Sequence, residues 1–360
     1  MTRRTVAAAG VAGLVFCAWA SPASAATKTV DVGGHGFTGA PKNLQALAFL
    51  RSVVSVHAGD SVRFRIRGGL IHTVTFVPRG QSIPPFAAFD PAHPVSGVTD
   101  ANGMPFWFNG QPRPIANPKA AFPTAGQTVT GGAFVNSGIP SDQAKGKAFR
   151  VAFPKTGTFK FVCLVHPGMH GTVKVLPRSA QIPSHAQDAA AAKREIAAIV
   201  KEAKAKAKIS VPAGQVDVGR TGHRLTINAM FPATTTVKAG HAVTFSMAGQ
   251  SRVEIHTVTI GPESVTAPVE NSFITPVPNA TGPPTLAINP LAAFPSDPPP
   301  TLPPYTGTNH GNGFLNSGIL DNDPITPPPN SATVTFATPG TYHFQCVIHP
   351  NMDGTVVVTP

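Results

Sequence analysis

The sequence predicts an all-β molecule: two tandem β-sandwiches joined by one α-helix. Three observations predict it. Whole stretches occur twice. Val30-Asp31-Val32-Gly33 returns as Val216-Asp217-Val218-Gly219, Val56-His57-Ala58-Gly59 as Val237-Lys238-Ala239-Gly240, and Phe134-Val135-Asn136-Ser137-Gly138-Ile139 as Phe314-Leu315-Asn316-Ser317-Gly318-Ile319. Recurrence on this scale reads as duplication of one module. Within each copy, apolar residues alternate with polar ones: Phe159, Phe161 and Cys163 share parity, as do Tyr342, Phe344 and Cys346, with Thr341, His343 and Gln345 facing outward. Period two is the mark of a half-buried strand, and many short strands between Gly/Pro turns suggest a sandwich. Between the copies, one stretch rich in Ala, Lys and Glu carries apolar residues at helical spacing.

Taken in order, residues 1–25 read as an export signal. Arg3 and Arg4 form a basic start, Val6 to Trp19 an apolar run too short to span a membrane, and Ala23-Ser24-Ala25 a small-residue cleavage site. Arg3-Arg4 raises the alternative of twin-arginine export. Cys17 leaves with the signal. Residues 26–178 form the first sandwich module, 179–212 a helical linker and 213–360 the second module. In the linker, Ser184-His185-Ala186-Gln187 resembles a capping box, and Ile196, Ile199, Val200 and Ala203 make a narrow apolar stripe. The helix is either a plain spacer or docked through that stripe. Residues 77–148 and 261–331 are proline-rich excursions, poor in strand pattern and expected to pack over the sandwich near the sites described next.

Cys163-Leu164-Val165-His166-Pro167-Gly168-Met169 recurs as Cys346-Val347-Ile348-His349-Pro350-Asn351-Met352. A histidine precedes each on a strand pattern: His72 in Ile71-His72-Thr73-Val74-Thr75, and His256 in Ile255-His256-Thr257-Val258-Thr259. Two imidazoles, a thiolate and a weak thioether are the donors of a blue (type 1) copper centre; zinc seldom takes a thioether. The expected ligands are His72, Cys163, His166 and Met169 for one copper, and His256, Cys346, His349 and Met352 for another. Pro167 and Pro350 hold the preceding histidine extended, and the Pro-Gly and Pro-Asn turns bring the methionine back. A disulfide between Cys163 and Cys346 would destroy both sets.

On these residues, with Gly171-Thr172-Val173-Lys174-Val175 and Gly354-Thr355-Val356-Val357-Val358 following each loop, both halves resemble cupredoxins, the plastocyanin/azurin superfamily, and amicyanin most. The resemblance implies Greek-key sandwiches and the two ligand sets above. It also implies that His166 and His349 lie near surface apolar patches and pass electrons. The path from first histidine to cysteine is much longer here than in simple cupredoxins.

The function expected is exported one-electron transfer, periplasmic or extracellular, by an electron carrier rather than an enzyme. Copper delivery, storage or detoxification uses the same ligands and stays open. A copper reductase or oxidase is less favoured, because no His-x-His pair occurs and no histidine flanks either cysteine. His170, His57, His93, His223, His241, His310 and His343 are read as surface residues. Without the signal, 26 Lys and Arg oppose 16 Asp and Glu, with net charges of +11 over 26–178, +3 over 179–212 and −4 over 213–360. A redox partner protein is expected, acidic for the first module. Scattered basic residues without stacking aromatics exclude nucleic acid as the natural partner, and no membrane span is expected after the signal.

Overall fold

A computed structural model describes residues 25–139, 148–250, 254–322 and 329–360. Apart from Ala25, the expected export signal, with Cys17, lies outside the described residues. Each half is a sandwich of two sheets. In the first half, strands Ala148–Ala152, Ser61–Ile66, Thr27–Val32 and Phe49–Leu50 lie side by side in that order. They face Val53–His57, His170–Leu176, Gly157–Val162, Thr75–Phe76 and Val135–Asn136. Inward-facing Phe49, Phe64, Phe76 and Phe161 fill the gap, with ring centroids 4.6 to 6.4 Å apart, mostly edge to face. In the second half, Thr234–Lys238, Asp353–Thr359, Gly340–Gln345, Thr259–Ile260 and Leu315–Asn316 repeat the ligand-bearing sheet.

The halves share structure. The opposite sheet of the second half runs Leu44–Ala46, Leu225–Phe231, Gln215–Thr221, His241–Ser246 and Ser331–Phe336, so its edge strand comes from the first half. Ala46, Gln45 and Leu44 pair antiparallel with Leu225, Thr226 and Ile227. The excursions also carry more order than their proline content suggested. Ala87–Asp90 and Arg113–Ala116 from the first join Thr285–Ile288 and Ile274–Val277 from the second in one four-stranded sheet, linked across the halves at Ala287 and Ile115. Phe106, Phe108, Trp107 and Phe294, from both excursions, form one apolar cluster with Val269 and Val347.

Helices α1 (Pro118–Ala121) and α4 (Pro290–Ala293) are single turns at equivalent places, each started by an asparagine cap and a proline in the first turn. Helix α2 spans His185–Lys206, and helix α3 spans Glu263–Asn271. Both arms of the expected capping box form: Gln187 N–H donates to Ser184 Oγ, and Ser184 N–H to Gln187 Oε1. Of the two readings of this segment, docking holds. Ile199 and Ala203 are buried against Leu44, Leu50, Leu225 and Ile227, residues of both halves. Asp188 is buried with Lys28 at 2.7 Å and Arg51 at 2.6 Å, and Glu195 meets Arg224 at 2.6 Å. Glu195 also accepts the Arg51 and Ser52 backbone N–H groups, so one carboxylate ties the helix to both halves.

Two expectations change. Gln345, expected outward, is buried: its parity is as read, but α3 covers that face and Gln345 Nε2 donates to Glu270 Oε2 at 3.0 Å. Likewise the stretch 72–76 is buried on both faces rather than one, because the excursions pack over its outer side.

Candidate metal centres

Each site is built from two segments. His72 precedes the two-residue strand Thr75–Phe76, and His256 precedes Thr259–Ile260. Cys163 and Cys346 follow the strands Gly157–Val162 and Gly340–Gln345, where inward parity sends sulfur into the core. The connecting turns close on themselves: Met169 C=O accepts from Cys163 N–H at 2.9 Å, and Met352 C=O from Cys346 N–H at 2.8 Å. The two segments are stitched together. Thr73 Oγ1 accepts from Leu164 N–H, and Thr73 N–H points at Cys163 Sγ at 3.4 Å; Thr257 does the same for Val347 and Cys346.

The structure brings together His72, Cys163 and His166, and His256, Cys346 and His349. Cys163 Sγ lies 3.9 Å from His72 Nδ1 and 3.6 Å from His166 Nδ1. Cys346 Sγ lies 3.8 Å from His256 Nδ1 and 3.6 Å from His349 Nδ1, and the two nitrogens are 3.1 Å apart. The centre of such a triangle is about 2 Å from every corner, a metal–imidazole or metal–thiolate bond length. All six residues are buried, as are Met169 and Met352 on the same loops. A dry thiolate with two imidazoles, no carboxylate among the three donors and a thioether on the closing turn fits copper.

Glycine shapes the back wall. A Cβ on Gly33 would sit 2.2 Å from His72 Nε2, and one on Gly219 2.3 Å from His256 Nε2. That closeness accounts for the glycine at the end of each Val-Asp-Val-Gly stretch. Beyond the ligands, Asn136 Nδ2 donates to the Lys119, Ala120 and Phe122 carbonyls, while its Oδ1 accepts from Thr75 Oγ1. Asn316 does the same with Leu291, Ala292, Phe294 and Thr259. Each asparagine thereby ties an excursion to a ligand strand. A sequence signal for this exists beyond the ligand motifs: Asn117-Pro118-Lys119-Ala120-Ala121-Phe122-Pro123 recurs as Asn289-Pro290-Leu291-Ala292-Ala293-Phe294-Pro295.

The site electrostatics suit a metal. Burial opposes ionisation of Cys163, but hydrogen bonds from His166 and His72 outweigh it and hold the thiol well below its usual range. Cys346 behaves alike, with His256 and His349 as partners. Burial keeps His72 below the ordinary histidine value.

Glu254, which belongs to no motif in the sequence, changes the picture at His166 and His349. Its Oε2 is 3.5 Å from His166 Nε2 and its Oε1 is 3.4 Å from His349 Nε2. Burial works against charge on all three groups. The attraction between them wins: Glu254 is held well below the carboxylate range, His166 rises to about 9 and His349 to about 10. A carboxylate at Nε2 leaves Nδ1 as the metal-facing nitrogen. The two histidines expected near surface patches are instead 2% and 4% exposed, and turned toward each other. His170, His93, His223 and His241 are exposed as expected, whereas His57, His310 and His343 are half-buried.

Each centre is a buried His₂Cys donor set with a methionine on the same loop, a set that suits copper. No protein-family model matches the chain, and no curated protein matches it. Among solved structures, a copper(I) amicyanin variant is 17% identical, covering 42% of this chain and 82% of its own, with a TM-score of 0.22. Auracyanin from the photosynthetic bacterium Roseiflexus castenholzii is 21% identical, covering 41% of this chain and 95% of its own, with a TM-score of 0.23. The donors themselves, not these likenesses, identify the metal.

Proposed function

We propose that this chain is an exported one-electron carrier with two type 1 copper sites, working in the periplasm or outside the cell. The observation that carries the proposal is the paired, preformed, buried His₂Cys triangle. His72, Cys163 and His166 would hold one copper and His256, Cys346 and His349 the other, with Met169 and Met352 on the same loops as the thioether donors. Bound copper supplies a Cu(II)/Cu(I) couple. The chain's part is to hold the donors where neither oxidation level demands that they move, and to keep water away. The stitching by Thr73, Thr257, Asn136 and Asn316 supports that rigidity. Residues 26–178 and 213–360 act as the two modules and 179–212 as the link between them.

For a partner, the charge supports an acidic redox protein. Between α2 and the segment 31–38 lies a cavity of about 810 Å³ edged by Lys193, Lys201 and Lys204, with Arg67 paired to Asp31 in its wall. Gly33 in its wall backs directly onto the His72 imidazole. Among the described residues, no helix is long and apolar enough to cross a membrane.

The test is optical and electrochemical. Copper-loaded protein should hold two coppers and show an intense visible thiolate-to-copper band. Cys163→Ser and Cys346→Ser should each remove about one copper's share, and the double variant the whole band. Reversible, fast voltammetric waves support electron transfer. Metal release without such waves would instead indicate a copper-handling protein built on the same ligands.

A further inference from the structure

We propose that Glu254 joins the two copper centres into a single exchanging pair, with electrons crossing through His166, Glu254 and His349; this rests on the copper reading above. The geometry is direct. Each imidazole turns Nδ1 toward its own cysteine and Nε2 toward one shared carboxylate, at 3.5 Å and 3.4 Å. The gap between the two rings is therefore two polar contacts and the width of one carboxylate.

Nothing in the repeat demands this residue. Leu70-Ile71-His72 in the first half stands where Glu254-Ile255-His256 stands in the second. A charge buried to 6% exposure is costly unless it is paired. Here the pairing spans both centres, and Ile255 N–H also donates to Oε1 at 3.1 Å. The interface holds the second ligand turn in place: Asn43, from the first half, donates through Nδ2 to the Asn351 and Asn228 carbonyls, both at 3.0 Å.

The exchange balances without a proton. One electron leaves the centre at His166 and arrives at the centre at His349, or the reverse. One metal is oxidised by a single unit while the other is reduced by a single unit. The charge on the two sides of Glu254 changes place but not total, so the route needs no proton to enter or leave the space between the two rings. An outside reductant then needs access to only one centre to fill both.

The experiment uses full-length copper protein with Glu254→Gln, close in shape, and Glu254→Leu, the residue of the first half. Copper content and the visible band are measured first; loss of both copper and band in the wild-type protein would sink the copper reading itself. With both coppers present, the two midpoint potentials are read. Removing a shared negative charge disfavours the oxidised, more positive state, so both potentials should rise together in both variants. A rise at only one centre, or at neither, overturns the proposal.

The diamagnetic copper(I) protein gives an independent reading. Two slowly exchanging imidazole Nε2–H signals should be present in wild type and absent in Glu254→Leu. In half-reduced wild-type protein, equilibration between the centres should be first order and unchanged by dilution; Glu254→Leu should slow it by an order of magnitude. Equilibration that scales with protein concentration in wild type overturns the proposal without needing either variant to fold.

Discussion

Gly33 and Gly219 leave no room for any side chain behind the first histidine of each site. Both have positive φ, +65° and +73°, and an added methyl would overlap His72 or His256. Gly33→Ala should therefore displace the His72 ring and leave about one copper per chain, with the second site loaded normally; Gly219→Ala should do the reverse. Metal analysis of each purified variant checks this, and two coppers in either would contradict it. These glycines stood out in the sequence as a repeated motif, but their purpose lies in a contact that a sequence does not display. The ligands were legible because three of the four sit within seven residues, where spacing alone brings them together. Glu254 was not. Its partners lie far away in both directions along the chain, and its one mark is a difference from Leu70 in an otherwise repeated stretch.

At the level of elements, α2 was legible to its first turn, because capping is local chemistry. Its docking was not, because the surface it meets is assembled from both halves. Ile199 is 3% exposed within that assembly. Ile199→Ala should cost about 2–5 kcal/mol of unfolding free energy, measured by denaturant titration of the metal-free protein, with the copper band of the loaded protein unchanged. The shared four-stranded sheet escaped notice because prolines broke its pattern and its pairing joins two separate excursions.

His310 ties those excursions together. Nδ1 lies 3.5 Å from Asp100 in the first and Nε2 3.2 Å from Asp297 in the second, with the Phe106 and Phe314 rings against it. The hydrogen bond to Asp297 raises the His310 pKa above 6.5 against some burial. A raised value stabilises the fold fully below about 6.5, and the gain is lost as pH climbs through the folded value. Burial would raise Asp297, but bonds from His310 and Ser296 outweigh it and hold the carboxyl below 3.8, so its share is lost only in acid. The stability gap between wild type and His310→Gln should therefore shrink from pH 6 toward pH 9. A gap that widens over that range would refute the assignment.

Across the whole molecule, the borrowed strand Leu44–Ala46, the common sheet and the docked helix couple the halves at three places. The tandem repeat showed two modules but not how they pack, since duplication shows in a sequence and mutual packing does not. Copper-free protein is expected to melt in one calorimetric transition, with calorimetric and van't Hoff enthalpies in agreement. Two resolved transitions would show that the contacts between halves contribute little.

The lone carboxylate at position 254 also gives the repeat a direction. Two near-copies of one module look as though either could come first. With Leu70 in one and Glu254 in the other, and with residues 44–46 of the leading copy closing the sheet of the trailing one, a chain assembled in the opposite order would have its bridging acid and its donated edge on the wrong modules. Divergence between the two copies has turned a duplication into a chain with a fixed head and tail.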